Sequence, residues 1–499
     1  MVKEIKVMVL GNSKKLAFLA AMVGCFAASN ALAADITDVL DAADEVYLGT
    51  EKVSDPFDIS LTPKFVQRIE WAKLKREFTQ DGVVHLGNEL EYGRTVNEFD
   101  IDLEIGMFHD LAFRMHMPII ISDQQSYKFD TSSDKDKITA AGTQEIGPDG
   151  KPYLRGQSSL APANPTGDTL QFFKLDDGQT LKGRKRTGIG DMSFGIAWSP
   201  YNTERHFIPE RPWEHNTGRS TVTLAFDYVA PTGKVTKIDN DGVGRGVHEI
   251  LLSVAASHRF AFVDPYIRLQ AGFPIGMSDY YPKYDNQVRI DPGIWGRIDL
   301  GIEFIPYESI DVKFQRFVKI DLRGYFKYIG EGRAYSELSD ALGQGDCYSI
   351  ESLGDPKCAW VGSKWSNATS NATMSDIASG RYTGGFKEDG YFDYEGYATI
   401  GGALSLTVQP IQYVQISAGV AADYAQNHFI TFTKTGKDRG TYDPETHTLD
   451  AQKKDGTVSL DSVDERNPTF SPALDAAGHR VKRTEAVNLE WFIGVKLMY

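Results

Sequence analysis

Large apolar residues occupy every second position of the C-terminal segment from Val487 to Tyr499. The positions between them are mixed and include Asn488, Glu490 and Lys496. A period of two is typical of a β-strand with one apolar face, because successive side chains of a strand point to opposite faces. The segment therefore predicts a strand that faces an apolar environment on one side only.

The same alternation recurs along the chain and predicts an all-β protein. The segment 396–422 has no charged residue, yet its glutamines, Pro410 and period-two pattern favour two strands joined by a turn over a helix. Opposite phases of alternation within the second strand predict a bulge near Gly93. About twelve strands are expected, near residues 58–78, 83–106, 111–121, 188–198, 219–230, 246–257, 263–275, 294–304, 310–329, 395–408, 412–426 and 484–499.

The connections between these strands are of two kinds. Tight turns are expected at "GMFHD", "SHRFAFVD", "FIPYESI" and "VQPIQY", whereas 122–187, 330–394 and 427–483 are long and polar. Short turns at one end and long loops at the other are typical of a transmembrane antiparallel up-and-down β-barrel, whose closed sheet leaves no edge unpaired in lipid. A soluble two-sheet sandwich is the alternative, which alternation alone does not exclude. The long loops are predicted to be extracellular.

The N-terminus has the order of a secretory signal peptide. Lys14 and Lys15 precede the apolar run 16–28, and Ala31-Leu32-Ala33 offers a small-residue cleavage site. The predicted organisation is a signal peptide at 1–33, a periplasmic segment at 34–57 and an outer-membrane barrel at 58–499. A lipoprotein site at Cys25 is the alternative. The expected location is the bacterial outer membrane.

Composition and cysteine content agree with export. The chain has 68 acidic and 53 basic residues, a net charge of −15, and no basic cluster, so a nucleic-acid partner is not expected. After signal cleavage only Cys347 and Cys358 remain. They are predicted to form a disulfide within the 330–394 loop, because the compartment is oxidising and no histidine pair completes a zinc site.

The apolar strand that ends on Tyr499 resembles the C-terminal signature of bacterial outer-membrane barrels. In that class the barrel assembly machinery recognises this strand, which pairs with the first strand. The resemblance implies the assembly machinery and outer-membrane lipid as partners. It places the assembly signal at Trp491, Ile493, Val495, Leu497 and Tyr499. Aromatic girdles are expected near Trp71, Trp198, Trp491, Tyr228 and Tyr499.

Three further motifs resemble one large outer-membrane family. They are "GIGDMSFGIAW" (188–198), "TVTLAFDYVAPTGK" (221–234) and "GVGRGVHEILLSVAAS" (242–257). In this order they are similar to the family labelled as transporters of the phenol meta-degradation pathway, best over 99–304. The motifs mark strand ends and turns. The resemblance implies uptake of small organic compounds, including aromatic or hydrophobic ones.

Twelve strands also suit outer-membrane phospholipases, which need a catalytic motif. No Gly-x-Ser-x-Gly motif accompanies the scattered histidines. His116 is interpreted as a residue of the barrel wall. The segment 239–242 resembles the start of a calcium loop, but His248 stands where such a loop needs an acid. The sequence predicts a protein that is not an enzyme and has no cofactor or metal.

Charged residues occupy the inward phase of several predicted strands. Each could be a salt-bridged strut of a narrow barrel, but as a set they predict a water-filled lumen that selects solutes by charge. The expected function is a channel for small molecules, and the alternative is a sealed barrel that anchors its surface loops for adhesion or partner recognition. The sequence defines neither the solute nor an oligomeric state. The predicted pore-lining residues are Asp100, Asp102, Glu104, Arg114, His116, Arg297, Asp299, Glu303, Lys313, Lys319, Asp321, Arg323 and Lys327.

Overall fold

The fold was analysed in a computed structural model of the full chain. The described residues are 37, 39, 45–48, 51–54, 59–80, 82–108, 110–129, 180–183, 185–202, 219–237, 240–276, 290–311, 314–342, 390–411, 413–434, 442–443, 448–449, 475, 477–478 and 480–498.

Twelve long strands form one antiparallel sheet, which confirms the predicted all-β fold. The predicted strand positions agree with the structure apart from shifts at several ends. The strands are β1 (Ile59–Gln80), β2 (Val83–Phe108), β3 (Leu111–Phe129), β4 (Met192–Asn202), β5 (Arg219–Ala230), β6 (Val247–Arg259), β7 (Val263–Gly276), β8 (Trp295–Asp311), β9 (Phe314–Ile329), β10 (Tyr397–Ile411), β11 (Val414–Ala425) and β12 (Val481–Met498).

The sheet closes into a barrel. Each strand pairs with its neighbours in chain order, and β12 pairs with both β11 and β1. The predicted pairing of the last strand with the first is therefore confirmed. Closure leaves no barrel strand with an unpaired edge, which a sheet in hydrocarbon requires because no water is present to satisfy the backbone.

Smaller elements lie at the strand ends and in the connections. No helix in the described part of the chain is long and apolar enough to cross a membrane. The one short helix with defined bounds there is α1 (Leu338–Leu342). The short strands are Glu45–Leu48, Glu51–Ser54, Thr180–Lys182, Arg186–Ile189, Gly332–Tyr335, Tyr391–Tyr394, His428–Phe429, Tyr442–Asp443 and Thr448–Leu449.

The outer face of the barrel is apolar. Leu300, Leu322 and Ile400 are 57–62% exposed, and they alternate with buried or half-buried positions along their strands. Exposed apolar surface on this scale marks a surface that contacts lipid or a partner. Trp71, Trp198 and Trp491 are also exposed on this face. For the other two residues of the expected girdles, Tyr228 is half-buried and Tyr499 lies outside the described residues.

One predicted turn is wrong. The segment "FIPYESI" was expected to connect two strands, but β8 continues through it to Asp311. Its pairing with β9 shifts register between Phe304 and Tyr307. Pro306 lies at this irregularity and has no N–H for the ladder, so the strand bulges there instead of ending.

The bulge predicted near Gly93 lies earlier in β2. Leu74 of β1 pairs with Leu90, and the next residue, Lys75, pairs with Asn88, so Glu89 is the extra residue. As a result Leu90 and Tyr92 are buried on the inner face. The shift therefore turns two large side chains inward near the end of the barrel that carries the long loops.

Candidate functional site in the barrel interior

The charged residues predicted to line a pore lie on the inner face of the barrel wall. They occupy the positions that alternate with exposed apolar residues such as Ile298, Leu300 and Leu322. On β2 and β3 these residues are Asp100, Asp102, Glu104, Arg114 and His116, and on β8 and β9 they are Arg297, Asp299, Glu303, Lys319, Asp321, Arg323 and Lys327. Lys313 lies outside the described residues.

A network of ion pairs connects β12, β1 and β2 on one side of the interior. Lys64 Nζ lies 3.1 Å from Asp100. Arg68 lies 2.6 Å from Glu98 and 2.9 Å from Glu490. The Arg68 side chain is nevertheless 41% exposed. This part of the interior is therefore paired but not closed to solvent.

The wall formed by β7, β8 and β9 is more tightly packed. The Asp299 carboxylate lies between two guanidinium groups, 2.7 Å from Arg297 and 3.0 Å from Arg268. Glu303 lies 3.7 Å from Lys319. Asp299, Glu303 and Arg323 are almost fully buried. Asp299 and Glu303 are therefore paired within the wall, whereas the buried Arg323 guanidinium makes no hydrogen bond within the described part of the chain.

Four interior side chains reach across a glycine on the neighbouring strand to a carboxylate two strands away. Arg114 on β3 and Asp227 on β5 flank Gly195 on β4, and Arg114 lies 3.0 Å from Asp227. A Cβ at Gly195 would overlap Asp227 Oδ1, so the close approach requires glycine. We call these four interactions the crossing contacts. In the other three, Tyr325 donates to Asp423 across Gly401, Tyr266 to Asp321 across Gly301, and Trp295 to Glu249 across Gly272.

At the long-loop end, a segment of the 330–394 loop lies inside the barrel mouth. We call residues 332–342, which include α1, the mouth segment. The Tyr127 hydroxyl on β3 donates to the Glu337 carbonyl, and Arg483 on β12 lies 3.5 Å from the Glu337 carboxylate. Tyr335 packs beside the apolar cluster of Val247 and Ile290 on the other side. The mouth segment therefore spans the interior between opposite parts of the wall.

A buried ion pair holds the mouth segment. Arg186, in the short strand beside β3, donates hydrogen bonds of 2.6 and 2.5 Å to the two carboxylate oxygens of Asp340. Both side chains are 1% exposed. Burial, together with the Asp340 carboxylate, raises the pKa of Tyr335, so its hydroxyl stays protonated and donates to Asp340. Asp340 thus anchors α1 of this segment to the barrel wall.

At the opposite end, two residues from the N-terminal part of the chain lie against the inner wall. Thr223 Oγ1 donates to the Thr37 carbonyl at 2.7 Å. Val39 packs against Ala112, Ala197 and Ala225. Because these alanines face the interior near the tight turns, this part of the predicted 34–57 segment contacts the barrel from inside.

The predicted assembly signal lies only partly within the described residues, and the predicted disulfide lies outside them. On β12, Trp491, Ile493 and Leu497 are exposed on the outer face and Val495 is half-buried, whereas Tyr499 lies outside the described residues. Cys347 and Cys358 also lie outside them. The assembly signal and the disulfide stay predictions.

A closed barrel of twelve antiparallel strands, apolar outside and charged inside, is a transmembrane barrel of the bacterial outer membrane. Comparison with known proteins gives similar structures but no family: no family model and no curated protein matches the chain. It is similar to an outer-membrane channel from Pseudomonas putida F1, with 8% identity over 88% of this chain and 95% of that one, and a TM-score of 0.35.

Two other solved structures are similar at the same level. The outer-membrane protease OmpT from Escherichia coli is 10% identical over 89% of this chain and 97% of that one, with a TM-score of 0.28. A Pseudomonas aeruginosa FadL homologue is 8% identical over 89% and 90%, with a TM-score of 0.26. Similarities of this size do not bear on the function of the chain.

Proposed function

We propose that the protein is an outer-membrane channel for passive or facilitated uptake of small molecules. The observation that carries the proposal is the exposure of charged groups inside the barrel. The side chains of Asp102, Arg68, Arg94 and Arg114 are 37–41% exposed although they lie on the inner face. Charged side chains stay exposed where water reaches them. A water-filled passage that is lined by charged groups selects solutes by charge.

The proposed solutes are small organic compounds. This choice rests on the resemblance of the 188–257 motifs to the transporter family of phenol degradation. The crossing contacts add aromatic side chains to the charged interior, where Trp295 and Tyr325 are half-buried and Tyr266 is buried. An amphipathic lining of this kind suits solutes that have both a ring and a polar group.

The channel is tested by neutralising the two partners of one interior ion pair separately. In planar bilayers, Arg114→Gln is expected to shift permeability towards cations, and Asp227→Asn towards anions, because each leaves the opposite charge in the passage. Both variants break the same contact, so structural damage alone would not give opposite signs. Lys434→Gln, which removes an exposed loop charge, is the control.

Reversal potentials under a salt gradient give the measurement. Equal shifts of both variants in one direction would contradict a passage along this ion pair. Absence of conductance in the wild type and in all variants would instead favour the sealed barrel that anchors surface loops.

A further inference from the structure

Three metal-ligand side chains meet on the inner face of β2 and β3. Glu98 and Asp100 are two residues apart on β2, and His116 lies on β3, where it pairs with Asp102 in the register. One carboxylate oxygen of each acid and a ring nitrogen of His116 all lie within 4.8 Å of one another. The sequence offered no metal motif, because these ligands come together only when the two strands pair.

The His116 ring is held by a carboxylate. Its Nδ1 lies 2.6 Å from Asp102 Oδ1, so a bound cation would be coordinated through Nε2. Metal-bound histidines in proteins nearly always hold the second ring nitrogen in this way, most often with a carboxylate or a carbonyl. Asp102 would therefore act as a positioning residue and not as a ligand.

The Asp100 carboxylate supplies an independent indication. Asp100 is 1% exposed. One of its oxygens lies 3.1 Å from Lys64, whereas Oδ1 makes no hydrogen bond within the described part of the chain. A buried oxygen without a partner is unfavourable, and an adjacent second carboxylate, Glu98, makes it more so. A cation between the two acids removes both penalties.

The local charge and access also suit a divalent ion. Four carboxylates lie around this point, while Lys64, Arg68 and Arg114 supply three positive charges. The carboxylates are those of Glu98, Asp100, Asp102 and Glu490. They outnumber the neighbouring cationic side chains, which favours a bound cation. The Asp102 and His116 side chains are 37% and 22% exposed, so the cluster can be reached from the interior.

We propose that Glu98, Asp100 and His116 bind one divalent transition-metal cation of the Zn²⁺ or Co²⁺ type. An imidazole with two carboxylates favours these ions over Mg²⁺ and Ca²⁺, which prefer oxygen ligands alone. Three protein ligands leave a coordination position open to water or to a solute in the lumen. The site goes beyond the proposed channel and does not depend on conductance.

Metal binding is tested with the untagged full-length protein in detergent micelles, stripped with a chelator. Co²⁺ is added while the visible d–d absorption and the heat of binding are recorded. The wild type is expected to bind one ion per chain at this site. Asp102→Asn is expected to weaken binding by about 10–100-fold, and Asp100→Asn and His116→Gln, which remove ligands, to weaken it more. Asp423→Asn, another interior carboxylate change, is expected to bind like the wild type.

Several results would overturn the site. Absence of a d–d band in the wild type would do so without any variant. Equal affinity of the wild type and the Asp100→Asn variant would assign the binding to other residues. Displacement of Co²⁺ by equimolar Mg²⁺ would contradict the ligand class. Heat-modifiable gel mobility establishes that each variant is folded, and Asp102→Asn serves as a further variant if Asp100→Asn fails to fold.

Discussion

Replacement of Asp340 by alanine is expected to release α1, the helical end of the mouth segment, and to raise the conductance of the protein in a planar bilayer. Asp340 and Arg186 form a bidentate pair in which both side chains are 1% exposed. Removing one partner of a buried ion pair costs about 3–5 kcal/mol, because the other charge stays buried and unpaired. The loss is expected at α1, because residues 332–335 keep their strand pairing with 391–394 and Arg333 keeps its ion pair with Asp393.

The matched control is Glu331→Ala in the same loop. Glu331 lies 2.8 Å from Lys434, but these side chains are 62% and 70% exposed. Exposed ion pairs contribute at most about 1 kcal/mol, so conductance should not change. Hydrogen exchange of residues 338–342 provides a second measurement. Wild-type protection and wild-type conductance in Asp340→Ala would together show that this pair does not hold α1.

Replacement of Gly195 by valine is expected to destabilise the barrel by about 1–3 kcal/mol, the usual range for forcing extra atoms into a packed site. The new side chain would overlap Asp227 and separate it from Arg114. The midpoint of urea unfolding, followed by heat-modifiable gel mobility, measures the loss. Gly324→Val is the control, because a Cβ there meets no atom closer than 4.0 Å.

A double variant distinguishes steric overlap between the introduced valine and the Asp227 side chain from a general effect of valine on the strand. A Cβ at Gly195 would also lie 2.6 Å from the Phe226 carbonyl oxygen, so Asp227→Ala should relieve Gly195→Val only in part, and the two losses should be less than additive. Fully additive losses would mean that the Phe226 backbone, and not the Asp227 side chain, is the obstacle, and the crossing contact would not explain the glycine.

The barrel could be predicted because its physical signals are local. A strand in lipid must be apolar on one face, so the alternation in β8, β9 and β12 marks both the strands and the inward residues. Where the pattern was ambiguous, prediction failed. Pro306 suggested a turn but lies in a bulge, and the phase of Leu90 was misassigned because Glu89 is the extra residue.

The contacts inside the barrel could not be predicted in the same way. Arg186 and Asp340 are 154 residues apart, and the 330–394 loop has no pattern that indicates a docked segment. The metal-ligand cluster left a weaker signal. The tight turn after β2 fixes the antiparallel register, which places Asp102 opposite His116. Counting back from that turn could have paired them, but the neighbouring Glu98 and Asp100 gave no spacing typical of a metal site.

The crossing contacts limit which groups of adjacent strands could be exchanged with those of another barrel. A hairpin is the natural unit for grafting between barrels, since each hairpin carries its own hydrogen-bond ladder. Here a transplanted β4–β5 hairpin would bring Asp227 and leave Arg114 behind.

The constraint is strongest where two crossing contacts overlap. Trp295 on β8 reaches back to β6, whereas Tyr266 on β7 reaches forward to β9. Any cut between β6 and β9 therefore separates a donor from its carboxylate or removes the glycine between them. Because Tyr325 on β9 also reaches Asp423 on β11, the strands β6 to β11 form a single module that must be moved whole.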